Sequence, residues 1–429
     1  MDQSFYEEKM SESEIARIVK RVQAQSNLVQ PEDSFIPKFR AAKLDVEAML
    51  GMGSFCRVFQ VRCNEPEFRE ERYALKCLNR KLRNSSKKAL LAASMDLVVE
   101  TEILSRIEPH ENIIALRGVA SDPYYSDFGY FLLLELLDET LRDRLDRWRE
   151  EIGPKVQGRF TRHHLMTSNS VCSRVSSIAI GVAKGLQHLH KNGVILRDLK
   201  PDNIGFDAFG TPKIFDLGLA REKHMIRPSE VAGSMRYIAP EAVLRLGVSY
   251  ASDVYSFGVF LWELCTIHKP FAEVAVSKKI FIEQVMHNQW RPSLVPIPCS
   301  TLRRLISNCW DAEIGIRPDT TMIIKTLRLA VDDSKTVPPC SDNQLPSLQG
   351  TKFTTSCRVL LKEIGKGFKE SFSRNTVETV SSYSSGETEL SMESFPFAQQ
   401  KETKIEISCK EKYHTSMPSM QLGAFSSHR

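Results

Sequence analysis

The residues best placed to do chemistry begin at position 51. Gly51-Met52-Gly53-Ser54-Phe55-Cys56-Arg57-Val58 opens like a G-x-G-x-x-G loop with Cys56 in place of the third glycine. A dinucleotide-binding version of that loop would open a helix, whereas Val58, Phe59 and Val61 continue as a strand of β-formers. The expected element is strand, glycine turn, strand, a hairpin able to cover phosphate, with Gly51 and Gly53 letting backbone approach the oxygens without a Cβ in the way. Ala74-Leu75-Lys76 follows in another strand-like run, and a period of two puts Ala74 and Lys76 on one face. A small residue there admits an adenine while the lysine reaches phosphate. Glu100 offers the lysine an ion-pair partner from a helical stretch with an apolar stripe at Val99, Ile103 and Leu104. Glu102 is the competing carboxylate, and its place relative to Ile103-Leu104 fits less well.

These groups need two kinds of support. Residues 43–137 show short strand-like runs with one helical segment between them, and residues 138–332 are mainly helical with one cluster of strands and turns near the middle. Strand-rich then helix-rich order predicts an α+β protein of two lobes, 43–137 and 138–332. A helix is expected over 175–190, with Ala179, Val182, Leu186 and Leu189 on one face and a stop at Asn192-Gly193. The charged, then serine-rich stretch 142–177 reads as an enlarged surface connection. Residues 1–42 form a polar extension in which Ile15, Ile18, Val19 and Val22 recur at helical spacing, with no role readable from sequence. Residues 333–429 form a tail expected to be largely disordered, with 17 serines from Ser334 onward. A short helix around Val359, Leu360, Ile364 and Phe368 is its one local possibility. A piece spanning residues 35–335 is therefore expected to fold and keep its activity.

Val194-Ile195-Leu196-Arg197-Asp198-Leu199-Lys200-Pro201-Asp202-Asn203 resembles the catalytic loop H-R-D-L-x-x-x-N of eukaryotic protein kinases. Phe215-Asp216-Leu217-Gly218 and Ala239-Pro240-Glu241 resemble that family's D-F-G and A-P-E motifs, in the family's order. The resemblance covers residues 43–332 and implies a bilobal fold, ATP and Mg2+ as cofactors, and protein substrates. It implies that Asp198 accepts or orients the substrate hydroxyl proton, Lys200 balances the transferring phosphate, Asn203 and Asp216 hold magnesium, and Lys76, fixed by Glu100, aligns the α- and β-phosphates. Leu50, Gly51, Gly53, Val58, Ala74 and Leu134 would surround the nucleotide, with Leu134 the gatekeeper and Glu135 to Leu137 the hinge. Asp253 would accept hydrogen bonds from the catalytic-loop backbone, and Arg317 would pair with Glu241.

Lys200, with Gly233-Ser234 before Tyr237, resembles serine/threonine kinases. Ser252-Asp253-Val254-Tyr255-Ser256-Phe257-Gly258 and the Cys309-Trp310 to Arg317-Pro318 pattern resemble the tyrosine-kinase-like group. Arg197 beside Asp198 implies an activation-segment phosphate, for which Ser229 is the expected site and an upstream kinase the expected partner; Ser234 is expected instead to contact Lys200. Four positions depart from the family pattern: Cys56, Leu196, Leu217 and Gly205, the last where an apolar floor under adenine is usual. Leu196 and Leu217 with Leu104 and Leu116 keep an apolar column. The alternative reading is a scaffold that keeps the fold and binds nucleotide or partners without turnover.

Composition adds exclusions. With 58 basic and 53 acidic residues, charge suggests neither nucleic acid nor a membrane surface as partner. Ten scattered cysteines without a C-x-x-C pair suggest reduced thiols and a cytoplasmic or nuclear protein, and no zinc site. The N-terminal residues lack the pattern of a secretory signal, and the apolar run from Val254 to Ile267 is too short for a membrane span and reads as a buried helix.

Overall fold

The computed structural model describes residues 12–29, 36–53, 55–64, 72–79, 87–121, 129–152 and 167–336. The tail beyond 336, with its expected short helix, lies outside the described residues. The first lobe is a six-stranded sheet in the order β1-β5-β6-β4-β3-β2. Its strands are β1 (Lys38–Phe39), β2 (Leu44–Met52), β3 (Cys56–Cys63), β4 (Arg72–Leu78), β5 (Leu116–Ala120) and β6 (Phe131–Glu135). All neighbours are antiparallel except β1 with β5.

The period of two sorts β4 cleanly. Tyr73, Leu75 and Cys77 join Phe131 and Leu133 in a small core on one face of the sheet. Ala74 belongs to the main core on the other face, together with its cross-strand partner Leu134 and with Leu132, the cross-strand partner of Lys76. Helix α2 (Lys87–Arg106) brings Leu97, Val98, Val99 and Ile103 into that main core.

The segment expected as a separate extension is part of this packing. Helix α1 (Glu12–Gln25) buries Ile18 and Val22 in the main core and lies on α2. Phe39 of β1 seals the smaller core and presses on Gly118, where a Cβ would collide with its ring. The boundary near residue 43 therefore does not separate the extension from the lobe, and a piece beginning at residue 35 would lose α1. The apolar stripe at helical spacing is there because α2 offers it a partner.

The second lobe is built around α5 (Tyr250–Thr266), whose residues from Ser252 to Thr266 are all buried. Ser249 and Ser252 form a reciprocal capping box at its start, and Ile267 ends it in the left-handed region at φ 63°. On it packs α6 (Ser300–Cys309), and α7 (Thr320–Thr336) packs on α6 and on α4 (Ile180–Lys191). No helix among the described residues is long and apolar enough to cross a membrane.

The stretch expected as a surface connection is partly helical. Helix α3 (Leu141–Ile152) buries Leu141 and Leu145, and a short helix, Ser168–Arg174, leads through a wide turn into α4. Their apolar positions recur at helical spacing among the charges, so one face packs while the other stays solvated. Helix α4 stops at Asn192, and Gly193 takes φ 77° in the following turn. Small strands complete the lobe: β7 (Glu139–Thr140), β9 (Ile204–Phe206) and β10 (Pro212–Ile214) in one sheet, β8 (Val194–Ile195) and β11 (Arg221–Glu222) in another.

Candidate active site

The glycine hairpin joins β2 to β3, with Gly51 opposite Val58. Its turn is fixed from below: Gly53 N–H donates to Cys56 O at 2.8 Å, and Asn79 Nδ2 donates to Gly53 O at 2.9 Å. A Cβ on Gly51 would meet open space, so nothing inside the protein demands a glycine there. That open space suits a phosphate, which approaches backbone most closely where no side chain stands. Cys56 is part of the strand, and burial pushes its thiol up to about 12, which argues against a reactive thiolate.

Lys76 Nζ lies 2.5 Å from Glu100 Oε2 and 2.6 Å from Asp216 Oδ1. The other Glu100 oxygen accepts the Leu217 N–H at 3.2 Å, so α2 touches the motif that follows Asp216. Glu102 is engaged elsewhere, accepting Arg106 Nε and Gln23 Nε2, each at 2.8 Å. Burial alone would lower the Lys76 pKa, but the charges of Asp216 and Glu100 outweigh it and hold the ammonium well above its ordinary range. The Lys76 charge, against burial, holds Asp216 below the usual carboxylate range. Burial raises the Glu100 carboxyl in spite of Lys76.

Asp198 is joined to three neighbours. Its Oδ1 accepts Ser234 N–H at 2.8 Å, its Oδ2 lies 3.0 Å from Lys200 Nζ, and Asn203 Nδ2 donates to its backbone O at 3.0 Å and to Oδ2 at 3.1 Å. Lys200 Nζ also donates to Ser234 Oγ at 2.8 Å. Burial works against the Lys200 charge, yet Asp198 more than compensates and raises its pKa. Gly233 makes this junction possible. It adopts φ 119°, and a Cβ there would run into Arg197 O.

Two non-glycine residues next to the chemistry occupy the left-handed region: Arg197 at φ 70° and Asp216 at φ 62°. Each such conformation costs about 1–3 kcal/mol and needs surrounding contacts to hold it. Asp253 on α5 supplies them for the loop, its two oxygens accepting Leu196 N–H and Arg197 N–H at 2.8 Å each. Lys76 supplies them for Asp216.

Around the place a base would take, Ala74 and Leu134 are buried and Val58 and Leu137 partly so, while Leu50 is exposed. The Glu135 side chain faces away, accepting Ala115 N–H at 2.8 Å and pairing with Lys213 at 3.1 Å, so the hinge offers backbone alone at that residue. The missing side chain at Gly205 is replaced by a neighbour: Leu137 Cδ1 lies 2.5 Å from where its Cβ would be, and Phe215 Cε1 3.3 Å. Leu196 and Leu217 are buried in the main core, and Leu104 and Leu116, partly buried, pack against it.

Sequence reasoning left several residues out. Arg197 Nη1 pairs with Glu230 Oε1 at 2.9 Å, so a carboxylate already faces this guanidinium without any phosphate. Ser229 sits exposed at the tip of a turn in which Glu230 N–H donates to Arg227 O at 2.9 Å. The signal for Glu230 was its negative charge, one residue from Ser229. Asp96, one helical turn before Glu100, accepts Arg221 Nη2 at 2.7 Å, while Arg221 Nη1 donates to the carbonyls of Gly218 and Ala220 at 2.6 and 2.8 Å. Asn79 beneath the glycine turn gave no signal beyond being polar.

A strand-rich lobe with a glycine hairpin and a buried lysine–glutamate pair, set on a helical lobe that offers Asp198, Asn203 and Asp216, defines a two-lobed protein-kinase-like fold. The family model described as the protein kinase domain matches residues 44–327, more than half of the chain, and the chain belongs to the protein kinase family. It is 30% identical over 310 residues to a dual specificity protein kinase shkC of Dictyostelium discoideum, covering 71% of this chain and 54% of that protein. It is 30% identical over 302 residues to human mitogen-activated protein kinase kinase kinase 10, covering 67% of this chain and 28% of that protein. It is 30% identical over 234 residues to chicken ribosomal protein S6 kinase 2 alpha, covering 54% of this chain and 27% of that protein. The chain thus spans about half, or less, of the length of these relatives.

Proposed function

We propose that the protein is an active serine/threonine protein kinase of the tyrosine-kinase-like group, using ATP and Mg2+ to phosphorylate protein hydroxyl groups. The observation that carries this reading is the junction of Asp198, Lys200 and Ser234, where a carboxylate and an ammonium lie 3.0 Å apart and share a serine from the peptide-facing segment. When bound, magnesium ATP supplies the transferable phosphoryl group and neutralises the charge that develops on it. The residues present fit it. Asp216 keeps 47% of its side chain open, and Asn203, donating through Nδ2, retains its amide oxygen for a cation. Two such ligands suit magnesium, which takes most of its coordination from phosphate and water. Lys76 would hold the phosphates in line, and the open face of Gly51 would cover them.

Asp198 would orient the substrate hydroxyl and take its proton as the new O–P bond forms and the bond to the leaving phosphate breaks. Lys200 would balance charge on the group in flight. Arg197 keeps Nε and Nη2 without a hydrogen-bond partner among the described residues, so a phosphate on Ser229 placed by an upstream kinase has acceptors to offer. The seven described cysteines are free thiols, in keeping with a cytoplasmic or nuclear setting. The direct test is purified protein with ATP, magnesium and generic protein substrates, followed by identification of the phosphorylated residue. Phosphoserine and phosphothreonine are expected. Phosphotyrosine as well would make the enzyme dual-specific, and no transfer with any divalent metal would favour the scaffold reading.

A further inference from the structure

Helix α1 and the few residues after it touch two elements that the reaction needs together. On one side, Ile18 and Val22 are buried against α2, and Gln23 Nε2 donates to Glu102 Oε1 at 2.8 Å. The other Glu102 oxygen accepts Arg106 Nε at 2.8 Å, and Arg106 Nη1 donates to Leu28 O, also at 2.8 Å. One glutamate–arginine pair on α2 therefore grips the segment at two points, Gln23 and Leu28. On the other side, Asn27 N–H donates to the buried Glu222 Oε2 at 2.8 Å, and the His224 ring meets Gln25 O at 2.9 Å and Asn27 Nδ2 at 3.3 Å. Glu222 lies in β11, paired with Val194 just ahead of the catalytic loop and six residues after Asp216.

We propose that residues 16–28 act as a positioning strap: by joining α2 to β11 they hold Glu100 against Lys76 and Leu217, and so set the fraction of molecules able to transfer phosphate. The proposal rests on the kinase reading of the site. Its physical basis is that α2 rests more on α1 and on the turn after Asp216 than on the strands beside it, so its position depends on what those two hold. A segment whose contacts exist only in the assembled arrangement stabilises that arrangement by those contacts. The joint with β11 is polar and borders a cavity of about 420 Å³ between Asn27, Asn192, Lys223 and His224, so it contributes placement more than core packing. Asn27, Gln23, Val22 and Glu222 are positioning residues here, and none of them faces the reacting groups.

The full chain allows the test. Asn27→Pro deletes the N–H that Glu222 receives, while Asn27→Ala keeps it. Loss of a hydrogen bond to a charged acceptor should lower kcat about tenfold in Asn27→Pro, with the KM for protein substrate little changed, and leave Asn27→Ala within about twofold of wild type. Hydrogen exchange gives a readout independent of activity: the Leu217 amide and residues 97–106 should exchange faster in Asn27→Pro and in Val22→Asp, with α5 unaffected. If Val22→Asp fails to fold, the Asn27 pair decides. Unchanged exchange and unchanged kcat in folded Asn27→Pro would overturn the strap. Faster local exchange in a protein whose wild type transfers no phosphate would instead support the strap and overturn the kinase reading.

Discussion

Ion pairs fill both the cleft and the interior of the helical lobe, yet the two sets are built differently. In the cleft, Lys76 lies 2.5 Å from Glu100 and 2.6 Å from Asp216, but 47% of the Asp216 side chain stays open. In the helical lobe, Glu241 is bidentate to Arg317 at 2.7 and 3.0 Å, with the arginine side chain at 0% exposure and the glutamate at 7%. Glu263, also at 0%, pairs with Arg142 at 2.7 Å and Arg149 at 2.5 Å and accepts the Tyr237 hydroxyl. The closed pairs have spent their hydrogen-bonding capacity on each other and on neighbouring groups of the chain. The cleft pairs keep one face for something not part of the chain. Substitution in the closed set should therefore damage the fold, and substitution in the open set should damage turnover.

The largest effect tests the closed side. Arg317→Ala leaves Glu241 buried without its guanidinium partner and is expected to cost about 3–5 kcal/mol of stability. Urea unfolding measures it. A loss below about 1 kcal/mol, the range of surface pairs, would mean that the pair is solvated and the contrast with the cleft is empty.

The cleft is tested by Asp198→Asn. The amide keeps the shape and can still accept Ser234 N–H, so the unfolding midpoint should hold, while turnover falls about 10²-fold or more through loss of a positioned base. Steady-state rates and thermal melts on the same preparations check both halves. A variant as active as wild type would remove Asp198 from the mechanism.

Much of this contrast was legible in the sequence because it depends on residue type at fixed spacing. Period-two strands put Ala74 and Lys76 on one face, and the loop from Val194 to Asn203 can be read as a string. Asp253 and Arg317 were found through motifs that name their partners. What stayed hidden depends on long-range docking. The Ile18, Val19 and Val22 stripe announced a helix, but nothing in it names α2 as the surface it covers. Gly205 looked like a hole because the Leu137 side chain that fills it comes from the hinge, 68 positions earlier in the chain. Glu230 was overlooked because a phosphate on Ser229 was expected to do what an unmodified neighbour already does.

A smaller effect sharpens the closed pair by pH. Burial would raise the Glu241 carboxyl, but Arg317 outweighs it and holds the pKa below the ordinary 4.5. A depressed carboxylate contributes stability above the unfolded value and loses it as pH falls through the folded one. Wild type should therefore lose its advantage over Glu241→Gln progressively below about pH 4.5, with the full difference present at neutral pH. Denaturant unfolding of both proteins from pH 7 to pH 3 follows it. A difference constant over that range would assign the stabilisation to packing instead of charge.

The smallest expected effect concerns Arg197, which lies between the two sets. Its side chain is 1% exposed like the closed pairs, but its partner Glu230 is 37% exposed, and Nε and Nη2 find no hydrogen-bond partner among the described residues. Burial lowers the Arg197 pKa in spite of Glu230, so the guanidinium is under-compensated. A phosphate on neighbouring Ser229 carries about −1.5 to −2 charge and three strong acceptors, enough to displace Glu230 and reach the remaining nitrogens. Two variants separate the contributions. Glu230→Ala should slow the unphosphorylated protein about threefold to tenfold, since a half-exposed carboxylate gives less than a buried one. Ser229→Ala should leave that basal rate unchanged and abolish any gain after incubation with ATP or an activating kinase. Rates before and after incubation, with the modified residue mapped, distinguish them. If Ser229→Ala gains as much as wild type, Ser229 is not the switch. If Glu230→Ala is also as fast as wild type, Arg197 is held by Leu219 O and the loop backbone, and its charge belongs with the closed, structural set.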